Sequence, residues 1–419
     1  MKLVIKRKYF GYIWIFLTFL IPYIEIAAVR NLLEVKTDDM VIPAVFPVML
    51  LLWAYLWCAN RLNGYHKKSG ISKYLHGIDI GFFIFILIMA FTAIINDAQG
   101  HHFLQMLMIL LPYLFARESL LHIKGYGFRD IEIVKYGVTF FAIIQMFFFV
   151  INIVVYGFSF NGEASSRIIS VGGGPVVLGY TVALVFSAWL LFREQITSKW
   201  YWSVTVCCLL VTLATGSRGG MWPVLLLLFI GFMCRRGKLS ANRSIVTLIF
   251  AFLIMGLFDF QTIFPRLFLF GNNSRVSAIV GNLGAYQTFS FLEQLLGKGI
   301  GMFYPYQLWL LDNSLACFHD YNRFFYNGVS LLVQPHNTYV YVLMETGLLG
   351  FASFILLLKR AVFGKRMVQR KTKLGHKMFV ITFFFLLSAE TTLFVELGSA
   401  SLWWFILILI GSSEDKFTG

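Results

Sequence analysis

Charge is what this 419-residue chain is short of. Charged residues make up 13% of it, roughly half the usual share for a soluble domain. A soluble fold of this length would split into about two or three domains with polar surfaces. The chain lacks the residues to cover them, so a bilayer must solvate most of its surface. Cysteine is scarce too: Cys58, Cys207, Cys208, Cys234 and Cys317. Only Cys317 falls in a segment expected outside, and a lone exported cysteine makes no internal disulfide. No Cys or His spacing fits a metal set, so the cysteines read as packing residues. There is no P-loop, no GxSxG and no HExxH at a useful position. No internal repeat is evident.

What the chain has in excess is apolar length. Hydrophobic residues make up 58%, 45 of the residues being Phe, against about 45–50% apolar in soluble domains. The first apolar stretch superficially looks like a secretory signal. It is too long for one, and no small-residue cleavage site follows, so it reads as a retained first span. Apolar segments recur near 9–29, 40–60, 77–95, 103–120, 132–156, 174–192, 200–216, 219–234, 244–259, 337–358, 377–394 and 398–412. Crossing a bilayer core takes roughly 20 apolar residues, so the expectation is an all-α polytopic membrane protein with about 12 transmembrane helices.

The net charge of +15 does not form one patch, so nucleic acid is not an expected partner. The basic residues sit in short runs between apolar segments, as in cytoplasmic loops. With the N-terminus inside, inner segments hold 27 of the 35 Lys and Arg residues and outer segments hold 8. That alternation predicts a multi-pass protein of the inner membrane with both termini cytoplasmic. Three regions follow: nine spans in 1–259, a long outer loop in 260–336, and three spans plus a cytoplasmic tail in 337–419. The loop is rich in Phe, Tyr, Leu and Trp, so it should fold. Its best-defined piece runs from Asn273-Ser274, a possible N-cap, to a stop at Gly297. Val276, Ile279, Val280, Leu283, Tyr286, Phe289, Leu292 and Leu295 recur there at helical spacing, predicting an amphipathic helix on the outer face of the bundle.

The outer face, disfavoured for arginine, nonetheless carries three that stand out. Arg218 lies in Thr215-Gly216-Ser217-Arg218-Gly219-Gly220. The turn is so short that its charge stays near the helix ends, costly unless paired or hydrated. Its glycines let another group approach the backbone. A lipid-snorkelling arginine is the bland alternative. Arg167 precedes Gly172-Gly173-Gly174-Pro175, and Arg275 opens the amphipathic helix. Guanidinium forks on one face suit phosphate oxygens. In Gln334-Pro335-His336-Asn337-Thr338-Tyr339, Pro335 fits a helix first turn. His336 would then sit at a helix N-terminus, where the dipole disfavours imidazolium and a neutral ring can accept a proton. A capping histidine is the plain alternative. The adjacent pair His101-His102 makes a poor metal site. Asp38-Asp39 may cap a helix or supply an acid; Glu293, Asp312, Asp320, Glu390 and Glu396 are further outer acids. Glu390 stands nearest an apolar span.

These residues resemble the bacterial O-antigen polymerase and O-antigen ligase superfamily. Four local motifs and the topology carry the resemblance. They are Thr215 to Gly220; Arg167 with Gly172 and Pro175; Asn273-Ser274-Arg275 with Leu296-Gly297-Lys298-Gly299-Ile300-Gly301; and His336-Asn337-Thr338-Tyr339 with Glu345-Thr346-Gly347-Leu348-Leu349-Gly350. The chain departs from some polymerases, because Tyr286 stands where their loop has a glycine after its arginine. The resemblance implies a GT-C-like membrane glycosyltransferase with a periplasmic active site. Its substrate would be an undecaprenyl-diphosphate-linked oligosaccharide, with membrane lipid around it and a chain-length regulator protein as a possible partner. Arg218 and Arg275 would hold the diphosphate with help from Arg167. His336 would be catalytic, with Asn337 and Glu390 supporting. Arginines would replace a metal, and no cofactor is implied. Polymerase is preferred over ligase because the chain is Phe-rich and diverges between its motifs. A flippase for lipid-linked oligosaccharide is the non-enzyme alternative; it predicts internal repeats and helices interrupted at mid-membrane.

Overall fold

A computed structural model describes residues 2–23, 35–36, 41–42, 45–65, 70–96, 100–156, 174–235, 238–239, 274–301, 323–326, 329–332, 335–363 and 374–412. Helices dominate them. Eight precede the long loop: α1 (Lys2–Leu20), α2 (Val45–Leu62), α3 (Gly70–Ile95), α4 (Gly100–Gly125), α5 (Asp130–Tyr156), α6 (Gly174–Leu191), α7 (Ser198–Thr215) and α8 (Arg218–Met233). Within the loop lie α9 (Ser274–Gln287) and α10 (Phe291–Leu296). Beyond it come α11 (Thr338–Val362), α12 (Leu374–Ala389), α13 (Thr392–Val395) and α14 (Leu397–Ser412). Among the described residues, α2 to α6 and α11 are the six helices long and apolar enough to cross a membrane. This is the architecture of a multi-pass membrane protein. The apolar segment 244–259 lies outside the described residues. Three short antiparallel ladders, which the sequence does not predict, pair Val35–Lys36 with Val41–Ile42, Cys234–Arg235 with Lys238–Leu239, and Arg323–Tyr326 with Val329–Leu332.

The centre of the bundle follows from composition. Every residue of α14 is buried, and so are most of α6. Helices apolar all round belong in a core. α14 packs on α4, α6 and α11, and α6 packs on α7, α8 and α12. Trp403 Nε1 donates to Thr181 Oγ1 at 3.1 Å, tying α14 to α6. The outer helices instead expose large apolar side chains such as Leu51, Phe83, Phe147 and Val154.

α11 is broken. Gly347 takes φ 61°, ψ −166° inside it, about 14 Å from Thr338 at the helical rise. A break frees carbonyls, which in an apolar interior need donors. The Leu296-to-Gly301 segment supplies them. Lys298 N–H donates to Met344 O at 3.0 Å, and Gly299 N–H donates to Glu345 O at 2.9 Å. Gly301 N–H reaches the buried Glu345 carboxylate at 3.1 Å. The two backbones touch. A Cβ on Gly297 would lie 2.4 Å from Glu345 C, and one on Gly347 would lie 2.4 Å from Leu295 C. Both also have positive φ, so only glycine fits.

The helix expected from Ser274 to Gly297 is two helices. After Gln287 the chain turns, and Ser290 starts α10 with a capping box. Ser290 N–H donates to Glu293 Oε2 at 2.8 Å, and Glu293 N–H donates to Ser290 Oγ at 3.3 Å. A new cap replaces helix continuation because the first four N–H groups need acceptors. The buried face of α9 is its small-residue side, with Ala278 and Ala285 inside, while Val276, Val280 and Leu283 are exposed. Small residues allow close helix approach, and here Ala285 and Phe289 meet Val340, Tyr341 and Met344 of α11.

A polar network joins α2, α3 and α4. Arg117 grips Asp79 bidentately, Nε to Oδ1 and Nη2 to Oδ2, both at 2.8 Å, and pairs with Glu118. Tyr113 donates to Asp79 at 2.6 Å. Asn60 donates to Glu118 Oε2 at 2.8 Å and meets His122 Nδ1 at 2.7 Å.

Candidate active site

The far end of the bundle gathers residues from four separate parts of the chain. α11 starts at Thr338, later than Pro335 suggests. Asn337 is its N-cap, accepting from Tyr339 N at 3.0 Å and Val340 N at 3.1 Å. Pro335 and His336 therefore precede the helix, and His336 is not in its first turn. Asn is among the strongest N-caps, which is why the start falls there. His336 has φ 47°, the one positive φ at a non-glycine among the described residues. Such conformations cost about 1–3 kcal/mol and need surrounding structure to hold them.

That structure is the end of α12. Asn337 Nδ2 donates to Ser388 O at 2.9 Å, Thr338 Oγ1 donates to Glu390 O at 2.6 Å, and Tyr339 OH donates to Phe384 O at 3.1 Å. The latch sets His336 Nδ1 2.9 Å from Glu390 Oε1. The same oxygen accepts Thr391 N–H at 3.1 Å. Glu390 Oε2 faces Arg275 Nη2 at 3.4 Å. Burial pushes the Glu390 carboxyl up. The His336 hydrogen bond and charge, then the Arg275 charge, outweigh it, and the carboxyl titrates below its ordinary value.

Arg275 stands in the first turn of α9. Its Nη1 donates to Ala389 O at 2.8 Å and to the Tyr180 hydroxyl, and its guanidinium lies 5.8 Å from the Tyr180 ring centroid. Tyr180 is the residue that sequence reasoning missed. It sits over the Arg218 turn. A Cβ on Gly219 would meet Tyr180 Cε1 at 2.2 Å, and one on Gly220 would meet Gly179 C at 2.3 Å. The glycines after Arg218 thus make room for Gly179 and Tyr180 of α6. The legible signal was the Gly219-Gly220 pair, which announced a close approach without naming what approaches. Arg218 is exposed, and its charge acts on Tyr180.

Arg275, Glu390, His336 and Tyr180 therefore form one connected cluster, with Arg218 beside Tyr180. Arg167, Asp38, Asp39, Asp312 and Asp320 lie outside the described residues. His101 and His102 fall on the first turn of α4, and their side chains are not described. Glu293 belongs to the α10 cap and pairs with Lys298, away from His336. Among the described residues, no group of three or more His, Cys, Asp or Glu side chains could hold a metal ion.

Chemically, the arrangement offers an acid–base pair, His336 and Glu390, beside two cations. Glu390 holds one imidazole nitrogen, Nδ1; side-chain exposure is 39% for His336 and 37% for Arg275. A carboxylate on Nδ1 fixes the tautomer and stabilises imidazolium. The guanidiniums suit an anion with several oxygens. No protein-family model matches the chain, and no curated protein matches it.

Proposed function

We propose that the chain is a membrane glycosyltransferase acting on polyprenyl-diphosphate-linked oligosaccharides, and that it joins repeat units into a longer surface glycan of the O-antigen type. The observation that carries this reading is the Arg275–Glu390–His336 cluster, partly open at one end of a buried bundle. His336 Nε2 accepts the proton of an acceptor sugar hydroxyl as its oxygen attacks the anomeric carbon of the donor. The bond from that carbon to the lipid diphosphate breaks, and the electron pair leaves with the phosphate oxygen. Arg275 and Arg218 stabilise the charge that grows there, with Arg167 as a further cation. Asn337 positions His336 by holding the start of α11 against Ser388. The active site faces the periplasm and the termini lie in the cytoplasm, following the distribution of Lys and Arg.

The break at Gly347 is a feature that a lipid flippase also has. Its freed carbonyls are filled by Lys298 and Gly299 rather than left to line a path, which favours the enzyme. Purified protein incubated with undecaprenyl-diphosphate-linked repeat units alone should yield a ladder of longer lipid-linked glycans. Transfer only to added lipid A–core would replace polymerase by ligase. No transfer to either acceptor, with movement of the lipid across vesicles, would replace both by the flippase.

A further inference from the structure

A groove of about 590 Å³ lies between α5 and α7. It sits at the end of the bundle opposite His336, because α7 runs from there to the Arg218 turn over 18 residues, about 27 Å. The groove is amphiphilic along its length. Its mouth holds Lys199 and Thr197. Lys135 stands beside it, with its ammonium 4.0 Å from the Trp200 ring centroid, and Trp200 is pinned by Nε1 donating to Thr139 Oγ1 at 2.8 Å. Thr197, the N-cap of α7, makes no side-chain cap bond, and the positive end of the α7 dipole lies at that mouth. Deeper in, the lining turns apolar with Ile143, Met146, Val204 and Cys207. The apolar surface continues past the groove along exposed Phe147 and Val150 on α5 and exposed Val206 and Leu210 on α7. From Lys199 to Leu210 is about 16 Å of helix, close to half of the ~30 Å bilayer core.

We propose that this groove binds an anionic glycerophospholipid, with its phosphate at Lys199, Lys135 and the N-terminus of α7 and one acyl chain between Met146 and Cys207. A cationic mouth above an apolar stem the length of one leaflet complements an anionic head on an acyl chain. A zwitterionic lipid fits the stem and gains less at the mouth. The site is independent of the glycosyltransferase reading, and it needs only that the bundle stand in a bilayer.

Native mass spectrometry of the full chain tests this in a mild detergent, with phosphatidylglycerol or phosphatidylcholine of identical acyl chains added. Phosphatidylglycerol should be retained in preference. A lysine near a lipid surface contributes about 1 kcal/mol, so Lys199→Glu should lower phosphatidylglycerol affinity by about fivefold or more and lower phosphatidylcholine affinity less. Lys199 is exposed, so that variant keeps the fold. Ser203→Trp, which fills the groove, should lower retention of both lipids. Equal retention of the two lipids by the unaltered chain, or unchanged phosphatidylglycerol affinity in Lys199→Glu, overturns the proposal.

Discussion

At one end of the bundle Arg117 is bracketed by Asp79 and Glu118, with Tyr113 on the aspartate and His122 behind Asn60. At the other, Arg275 is bracketed by Glu390 and Tyr180, with His336 on the same carboxylate. The residue types are nearly the same. The closed cluster comes from three adjoining helices, and its members face one another: Arg117 is 16% exposed and Glu118 2%. The open cluster comes from α6, the start of α9, the turn before α11 and the end of α12, and its arginine and histidine are more than twice as exposed as Arg117. Charges in an apolar bundle are tolerated when fully paired. The closed cluster meets that condition and braces helices. The open cluster keeps an arginine and a histidine partly exposed beside a buried carboxylate, which is what a ligand needs.

The largest effect should come from the open cluster. His336→Ala should lower glycan extension by about 10²–10⁴-fold, the usual contribution of a positioned base, while lipid-substrate binding stays near that of the unaltered chain and the thermal midpoint falls less than in Arg117→Ala, because Arg275 still faces Glu390. Full extension by that variant removes the role assigned to His336. Arg117→Ala should do the reverse. It leaves Glu118 and Asp79 uncompensated and should lower stability by about 3–5 kcal/mol, read as a fall in thermal midpoint in detergent, with turnover per folded molecule retained. If Arg117→Ala instead spared stability and lost turnover, the division between brace and site would collapse.

Glu390 gives a smaller effect with a defined sign. Its folded carboxyl titrates below the ordinary value, so the unfolded chain binds more protons between the two values. Stability from this group is fully present above the unfolded value and is lost as pH falls through the folded one. Thermal midpoints measured from neutral pH down into the acid range should drop, and Glu390→Gln should flatten that drop. An unchanged acid profile in Glu390→Gln would show that the carboxylate is not held by His336 and Arg275.

How much of this was legible in the sequence differs between fold and site. Apolar runs place the helices because the bilayer demands length, and length is written linearly. The break at Gly347 was not legible. Gly347 and Gly297 stand in two motifs of the resemblance, but neither announces the other until the two backbones are brought within contact, 50 residues apart in the chain. His336, Arg275 and Arg218 stood out because polar residues are rare at span ends. Their coupling did not, since it runs through Glu390 and Tyr180. Glu390 was visible only as an acid near a span, and Tyr180 as one aromatic in a helix otherwise full of core residues. Pro335 fits a first turn as well as a preceding one, and the Asn337 side chain accepting from Tyr339 and Val340 N–H decides between them.

The finest test compares one hydroxyl in each cluster. Tyr180 OH accepts from Arg275, and Tyr113 OH donates to Asp79. Replacing either by Phe deletes the hydroxyl and keeps the ring, so packing and the 5.8 Å approach of Arg275 to the Tyr180 ring are spared. A hydrogen bond to a charged group contributes about 1.5–3 kcal/mol. In Tyr113→Phe that loss should appear in the thermal midpoint, because the closed cluster links helices of the bundle. In Tyr180→Phe the Arg275 fork is less well fixed. The KM for the lipid-linked donor should therefore rise about tenfold or more while kcat and the midpoint hardly move, and combining Tyr180→Phe with Arg275→Lys should add little to Arg275→Lys alone. Equal midpoint losses in the two Phe variants, with donor KM unchanged, would make Tyr180 a second brace and leave Arg275 to be positioned by Ala389 and Glu390.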